Sequence, residues 1–238
     1  MSEIKYDWKA IQTKLKEKGF YYGLIDGDRG RLTNRAIIAF KQSVGLAARD
    51  FYGPITHAAL MESKPVPKPS PVEEPCWLRR ARMDIGTTEI KGSKHNAKIL
   101  NYWELTKLYF KSDEIAWCAG FVGAMFEMCG IKSTRSGMAR SYSSSPLFYK
   151  LKEPVVGCVV VFWRGSPTGS LGHVGFFTGF DQYRNIMVLG GNQSDAVNIK
   201  PFEDARVVGY YWPIGVPLPG AAPIAVVESD GKTSTNEA

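Results

Sequence analysis

The chain has little of what several common chemistries require. Its 238 residues include only three histidines, His57, His95 and His173, and none stands in H-E-x-x-H or His-x-x-x-His spacing. A zinc hydrolase is therefore disfavoured, and no metal or other cofactor is expected. No apolar run is long: Val155–Trp163 falls far short of the ~20 residues that cross a bilayer, so no stable membrane insertion is expected. Met1-Ser2-Glu3-Ile4-Lys5 opens no apolar signal region, which places the start of the chain's life in a cytoplasm. The four cysteines, Cys76, Cys118, Cys129 and Cys158, form no C-x-x-C pair and lie scattered. Without an export signal, that scatter argues against a disulfide framework.

What is present points to two modules. A chain 44% apolar and 22% charged can bury one substantial core plus a small satellite domain. The formal charge of +7 favours an anionic partner, which could be nucleic acid, an anionic membrane or a cell-wall polymer, and predicts salt-sensitive binding. Between Lys64 and Pro75 the sequence KPVPKPSPVEEP carries prolines at 65, 67, 69, 71 and 75, which excludes helix and favours extended polyproline II. At ~3.1 Å per residue such a spacer holds its neighbours roughly 30 Å apart. The expected organisation is a helical module over 1–63, a linker over 64–75, a second module over 76–213, and a flexible tail over 214–238, which shows no helical or alternating periodicity.

In the first module, Ile11 and Leu15 followed by Gly19-Phe20 read as an amphipathic helix and its stop. Thr33 is expected to open and cap a second helix through Phe40, and Thr56 a third. The echo of Gly30-x-x-Thr33-x-x-Ala36 as Gly53-x-x-Thr56-x-x-Ala59 suggests a helix-turn duplication. Asp26-Gly27-Asp28 lacks the later positions of a calcium loop, with Arg31 at position six and Ile37 at position twelve. The basic residues Arg29, Arg31, Arg35 and Lys41 are interrupted by Asp26, Asp28 and Asp50, so no clean basic face emerges and nucleic acid is not an expected partner.

In the second module, Leu78–Ile85, Ile99–Phe110 and Ala116–Met128 read as helices. Five short strands follow, over Gly157–Trp163, His173–Phe180, Ile186–Leu189, Val197–Ile199 and Val207–Trp212. Helices followed by an antiparallel sheet give an α+β fold class. Cys118 falls at the first turn of the third helix, where the dipole and unpaired N–H groups favour a thiolate. His173 opens a strand, and Asn192 follows another in a Gly-Gly-Asn turn. A thiol nucleophile needs a base, and the base needs a group that fixes its tautomer. Cys118, His173 and Asn192 supply these parts in chain order, provided that they converge in one solvent-reachable cleft.

Two resemblances sharpen this reading. The run IQTKLKEKGFYYGLIDGDRGRLTNRAIIAFKQSVGL resembles the small peptidoglycan-binding domain of many wall hydrolases, with the pattern L-x-x-x-G-x-x-x-G-x-x-D-G-x-x-G-x-x-T-x-x-A. It implies Asp26, Gly27, Gly30 and Thr33 as candidate wall-binding positions. The segments IGTTEIKGSKHNAKIL, WCAGF, ARSY, GHVGF and GGNQSDAVNI resemble the CHAP and NlpC type of cysteine peptidase, which shares a papain-like fold. That resemblance implies Cys118 as nucleophile, His173 as base and Asn192 as orienter, in a chain similar to a phage endolysin that acts as a monomer on bacterial peptidoglycan. Such an enzyme would stay in the host cytoplasm until release to the periplasm and wall. Glu89, His95 and Asn96 match the first of these motifs without an evident chemical role. An injected antibacterial effector or tail-associated lysin of the same chemistry, or a non-catalytic wall-binding protein, fits the same motifs. Which amide is cut, at or within the stem peptide, depends on pocket shape.

Overall fold

The computed structural model describes residues 5–62, 64–66, 73–219, 224 and 226–235. The chain divides into two compact units, Met1–Glu73 with Pro219–Val226, and Glu74–Leu218 with Val227–Ala238. Of the proline-rich linker expected over 64–75, residues 67–72 lie outside the described residues.

The first unit holds α1 (Trp8–Glu17), α2 (Arg31–Ser43) and α3 (Pro54–Met61). α1 starts where it does because Asp7 Oδ1 accepts from the N–H of Lys9 at 3.0 Å and of Ala10 at 3.2 Å. Its spaced apolar residues Ile11 and Leu15 meet Phe20, Ile37, Phe40 and Leu60 in a fully buried core. The two threonines do not cap. α2 and α3 begin earlier, with Gly30 and Gly53 as N-caps and no side-chain cap bond. Pro54, whose ring presets the helical φ, supplies the start of α3. Thr33 sits one turn in, where its hydroxyl reaches back to donate to Asp28 O at 3.0 Å.

The second unit begins with α4 (Cys76–Met83), α5 (Ala97–Leu105), α6 (Cys118–Glu127) and the single turn α7 (Ser141–Ser144). The strands follow as β1 (Phe148–Leu151), β2 (Val159–Trp163), β3 (Gly172–Asp181), β4 (Ile186–Gly190), β5 (Asn198–Phe202), β6 (Val207–Pro213) and the two-residue β7 (Val226–Val227). They form an antiparallel sheet in the order β1-β6-β2-β3-β4-β5, with β7 on β3 outside that path. The α+β architecture is therefore as expected.

α6 is the central helix: Cys118 through Phe126 are all buried, and it packs on α4, α5, β3 and β4. Its small residues make that possible. A Cβ at Gly120 would stand 2.7 Å from the Trp103 ring, and one at Gly123 2.5 Å from Thr106 Cγ2, so a larger residue at either position would push α5 away. At the far end of the helix Phe126 packs on Trp77, which packs on Trp212.

Two expectations are corrected here. Cys76 and Cys129 form a disulfide, with Cα atoms 6.0 Å apart across 53 residues of sequence. The packing of α4 on α6 brings them together, and a single pair set by tertiary contact leaves no spacing pattern to read. The C-terminal tail, expected to be flexible, is tied to the sheet from Val227 onward among its described residues. Ser229 Oγ donates to Asp181 Oδ2 at 2.7 Å and Ser229 N to Gln182 Oε1 at 3.0 Å. Further on, Ser234 N donates to Pro201 O at 2.7 Å, and Arg206 donates to Ser234 O at 3.1 Å. Such polar ties need no hydrophobic periodicity.

Candidate active site

Cys118 is the first residue of α6, as its place after Trp117 predicts. The thiol is not an exposed thiolate. It is 3% exposed, and burial pushes its pKa up to about 11. The backbone N–H groups of Val174, Ala119 and Cys118 itself, with the charge of Arg164, pull the other way without overcoming burial. The helix-terminus effect that favours a thiolate is present and is outweighed by desolvation. α6 packs on β3, the strand that carries His173.

His173 lies near the start of β3, opposite Phe162 in the β2–β3 register. Its ring is fully buried, and it lies parallel to the Phe202 ring, 3° between planes at 5.2 Å. Those aromatic walls fix the plane of the imidazole. Its Nε2 is 3.0 Å from Oε1 of Gln193, not from Asn192. The amide orientation of Gln193 is set by its other end, because Gln193 Nε2 donates to Asn198 Oδ1 at 2.8 Å and to Asn198 O at 2.9 Å. Oε1 therefore faces the imidazole as an acceptor, which requires Nε2–H on His173 and places the lone pair of the neutral ring on Nδ1.

Asn192, the expected orienter, is not the residue at His173 Nε2. It is buried at φ +58°, a left-handed conformation that asparagine tolerates better than most residues. With its amide oriented to satisfy both neighbours, its nitrogen donates to Glu89 Oε1 at 3.1 Å and its oxygen accepts from Trp117 N at 3.2 Å. Glu89 Oε1 also accepts from Trp117 Nε1 at 2.6 Å. Glu89 and Asn192 together hold Trp117, the residue before Cys118. Burial raises the Glu89 pKa, the bond from Trp117 lowers it, and the charges of Asp195, Asp113 and Glu114 raise it further. The register of this arrangement comes from a short pairing of chain segments: Glu89 N donates to Asp195 O, and Val197 N to Thr87 O, at 2.9 and 2.8 Å.

The remaining motif residues also find their places. Asp113, fully buried, accepts from Ile90 N at 2.9 Å, Asn96 N at 2.8 Å and His95 Nδ1 at 2.9 Å. His95 thus staples the loop after Glu89 to the segment before Cys118, and Asn96 caps α5 through Lys98 N. In the first unit, Gln12 is the buried hub: its Nε2 reaches Asp26 Oδ1 at 2.8 Å and Thr33 Oγ1 at 3.2 Å, and its Oε1 accepts from Gly27 N at 2.8 Å. Gly30 is the N-cap of α2. Asp26, Gly27, Gly30 and Thr33, expected at the wall-binding surface, are thereby engaged in shaping their own loop.

The sequence points to Cys118, His173 and Asn192; the structure sets Cys118 at the start of α6, which packs on the strand that carries His173, and puts Gln193, the neighbour of Asn192, at the imidazole. It missed Gln193, Asn198 and Asp113. The signal for Gln193 was available in Gly-Gly-Asn-Gln, where two adjacent amides compete and only the fold of the turn separates them.

Known proteins agree with the division into modules. Residues 5–60 match the family model described as a putative peptidoglycan binding domain, and residues 110–192 match the CHAP domain. Over 54 residues the chain is 39% identical to the N-acetylmuramoyl-L-alanine amidase CwlM of Mycobacterium tuberculosis (strain ATCC 25618 / H37Rv), covering 23% of this chain and 13% of that protein. A crystal structure of a protein similar to a lipoprotein of the NLP/P60 family, from Staphylococcus aureus subsp. aureus Mu50, superposes with a TM-score of 0.38 at 13% identity. That comparison covers 89% of this chain and 63% of the other. The chain therefore spans less than two thirds of the length of either.

Proposed function

From a peptidoglycan-binding domain followed by a CHAP domain, the make-up of a modular peptidoglycan hydrolase, we infer that the second unit cleaves an amide of the bacterial cell wall through Cys118. The observation that carries this reading is a buried thiol at the start of α6, a helix packed on β3, the strand whose His173 has its Nε2 held by Gln193.

The held tautomer assigns the roles. His173 Nδ1 takes the proton from Cys118 as the sulfur attacks the amide carbonyl. The oxygen of the tetrahedral adduct gains its charge at the N-terminus of α6, where the Cys118 N–H and the helix dipole can stabilise it. The protonated imidazole then gives its proton to the leaving amine, and a thioester forms on Cys118. Water, deprotonated by the same Nδ1, attacks the thioester, releasing the carboxylic acid and restoring the thiol. Burial holds the pKa of the thiol up at about 11, so attack draws on His173 to accept its proton.

The substrate is peptidoglycan, and the bond is either the sugar-to-L-alanine amide or one within the stem peptide. In a phage endolysin this activity would lyse the host after release from its cytoplasm to the wall; a tail-associated lysin or an injected effector would use the same chemistry. An adjacent immunity gene or tail genes in the genome would decide between these settings. For the chemistry, Cys118→Ala should retain folding and sacculus binding and lose release of soluble fragments, with mass spectrometry of wild-type digests naming the bond. Undiminished release by that variant would remove Cys118 from the mechanism.

A further inference from the structure

Gln193 lies in the loop between β4 and β5, and its side chain folds back beneath the first pair of that hairpin, Gly190 opposite Asn198. Its amide can hold His173 in one tautomer only if it cannot turn over. Three bonds from its own nitrogen resist that turn, to Asn198 Oδ1 at 2.8 Å, Asn198 O at 2.9 Å and Val188 O at 3.3 Å, and the shortest is to the Asn198 side chain. Asn198 is locked in return, because its Nδ2 donates to the backbone carbonyl of Gln193 at 2.7 Å. Each amide fixes the other. Turned over, Asn198 would set oxygen against oxygen at Gln193 O and nitrogen against nitrogen at Gln193 Nε2, losing both bonds.

We propose that Asn198, at the start of β5, is a positioning residue for catalysis: its side chain locks the Gln193 amide with the oxygen toward His173, and so selects the Nε2–H tautomer that leaves Nδ1 to act on Cys118. The proposal rests on the cysteine-hydrolase reading for its consequence and on the hydrogen-bond geometry alone for its cause. Asn198 acts through Gln193 and not by contact with the imidazole or the thiol. Aspartate in its place would retain the acceptor to the Gln193 nitrogen and lose the donor to the Gln193 carbonyl. The loop it steadies needs this help, since Asn192, Ser194 and Asp195 all have positive φ, at 58°, 54° and 59°.

The test uses the full chain with Asn198→Ala, Asn198→Asp, Gln193→Ala and the Asn198→Ala/Gln193→Ala pair. Tautomer is read by ¹⁵N NMR, which the three histidines make tractable through His57→Gln and His95→Gln assignments. In the wild type His173 should be Nε2–H. Asn198→Ala should show a measurable Nδ1–H fraction and a fall in kcat between about ten-fold and about a hundred-fold, with KM on sacculi unchanged. Asn198→Asp, which keeps the acceptor, should keep the Nε2–H form and most of the activity, and it serves if the alanine variant does not fold. In the Gln193→Ala background, removing Asn198 should change kcat no further. A wild-type tautomer ratio in Asn198→Ala, or an equal fall in kcat with and without the Gln193 side chain, would overturn the proposal. The NMR result stands even if the wild type cleaves no sacculi, which would count against the hydrolase reading and not against the lock.

Discussion

Cys76, the first residue of α4, is covalently joined to Cys129, two residues beyond the end of α6. The bond pins the helix that follows the linker to the helix that carries Cys118, while Cys118 and Cys158 stay free. One chain thus needs an oxidised pair and a reduced thiol together.

Closing a 53-residue separation removes chain entropy from the unfolded state worth about 4 kcal/mol in the loop-closure account. The variant Cys76→Ser/Cys129→Ser should therefore unfold at clearly lower denaturant than the oxidised wild type, and wild type fully reduced in denaturant should match the variant. Catalysis per folded molecule should survive, since neither cysteine belongs to the set around His173. Coincident unfolding curves for oxidised wild type and variant would show that the crosslink adds nothing.

Gln193 and Asn192 make opposite predictions although they are adjacent. Gln193→Ala removes the acceptor from His173 Nε2, so kcat should fall while KM for sacculi and fold are retained. Asn192→Gly keeps the positive φ but strips the bonds to Glu89 and Trp117. It should cost ~1–3 kcal/mol of stability, with a smaller effect on kcat per folded molecule than Gln193→Ala. Denaturant titration alongside single-turnover kinetics separates the two. If Asn192→Gly proves the more damaging to kcat at equal folded fraction, the orienting role returns to Asn192.

That pair also shows how far the sequence could be read. The helix that carries Cys118 and the strand that carries His173 were legible because each combines strong periodicity with a chemically distinctive residue, and both appear within a residue or two of the expected bounds. The choice between Asn192 and Gln193 was not, because it depends on three left-handed residues in one turn that set which amide points inward. The burial of the thiol was hidden for a related reason: a helix N-terminus is visible in sequence, whereas the close cover by neighbouring packing is not. β1, a four-residue edge strand with two exposed positions, carried too little apolar signal to be recognised. The ties of Ser229 to Asp181 and Gln182 belong to the same class of polar tertiary contact as the Gln12 hub, and neither has a periodicity.

Asp113 gives the acid limb of stability. Burial pushes its carboxyl up, but the bonds from Asn96 N, Ile90 N and His95 outweigh it, so its pKa in the fold lies below the usual 3.8. The unfolded chain therefore takes up the proton first as pH falls. The stabilisation is fully present above about pH 4 and is lost as pH drops through the lower folded value. Asp113→Asn should be less stable than wild type at pH 7, since an amide cannot accept all three bonds, and the gap should narrow towards pH 2. A gap that does not change between pH 7 and pH 2 would mean that the carboxylate charge is not what holds the loop.

Cys118 should act at the opposite end of the scale. Its thiol ionises near pH 9 when exposed, whereas burial holds the folded value at about 11. Folded pKa above unfolded means that the contribution is complete below about pH 9 and is lost as pH rises towards 11, because only the unfolded chain gains by ionising. Two pKa units correspond to a loss on the order of 3 kcal/mol across that window. Cys118→Ser does not titrate there and should lack this component, so urea unfolding of both proteins from pH 7 to pH 11, without reductant, should give curves that diverge above pH 9 with the wild type falling faster. The same burial predicts slow alkylation of Cys118 at pH 7 in the folded protein, with no stoichiometric burst. Parallel stability curves together with rapid alkylation would mean that the thiol is open to solvent and ionises at its ordinary pKa, and attack would then begin from a preformed thiolate.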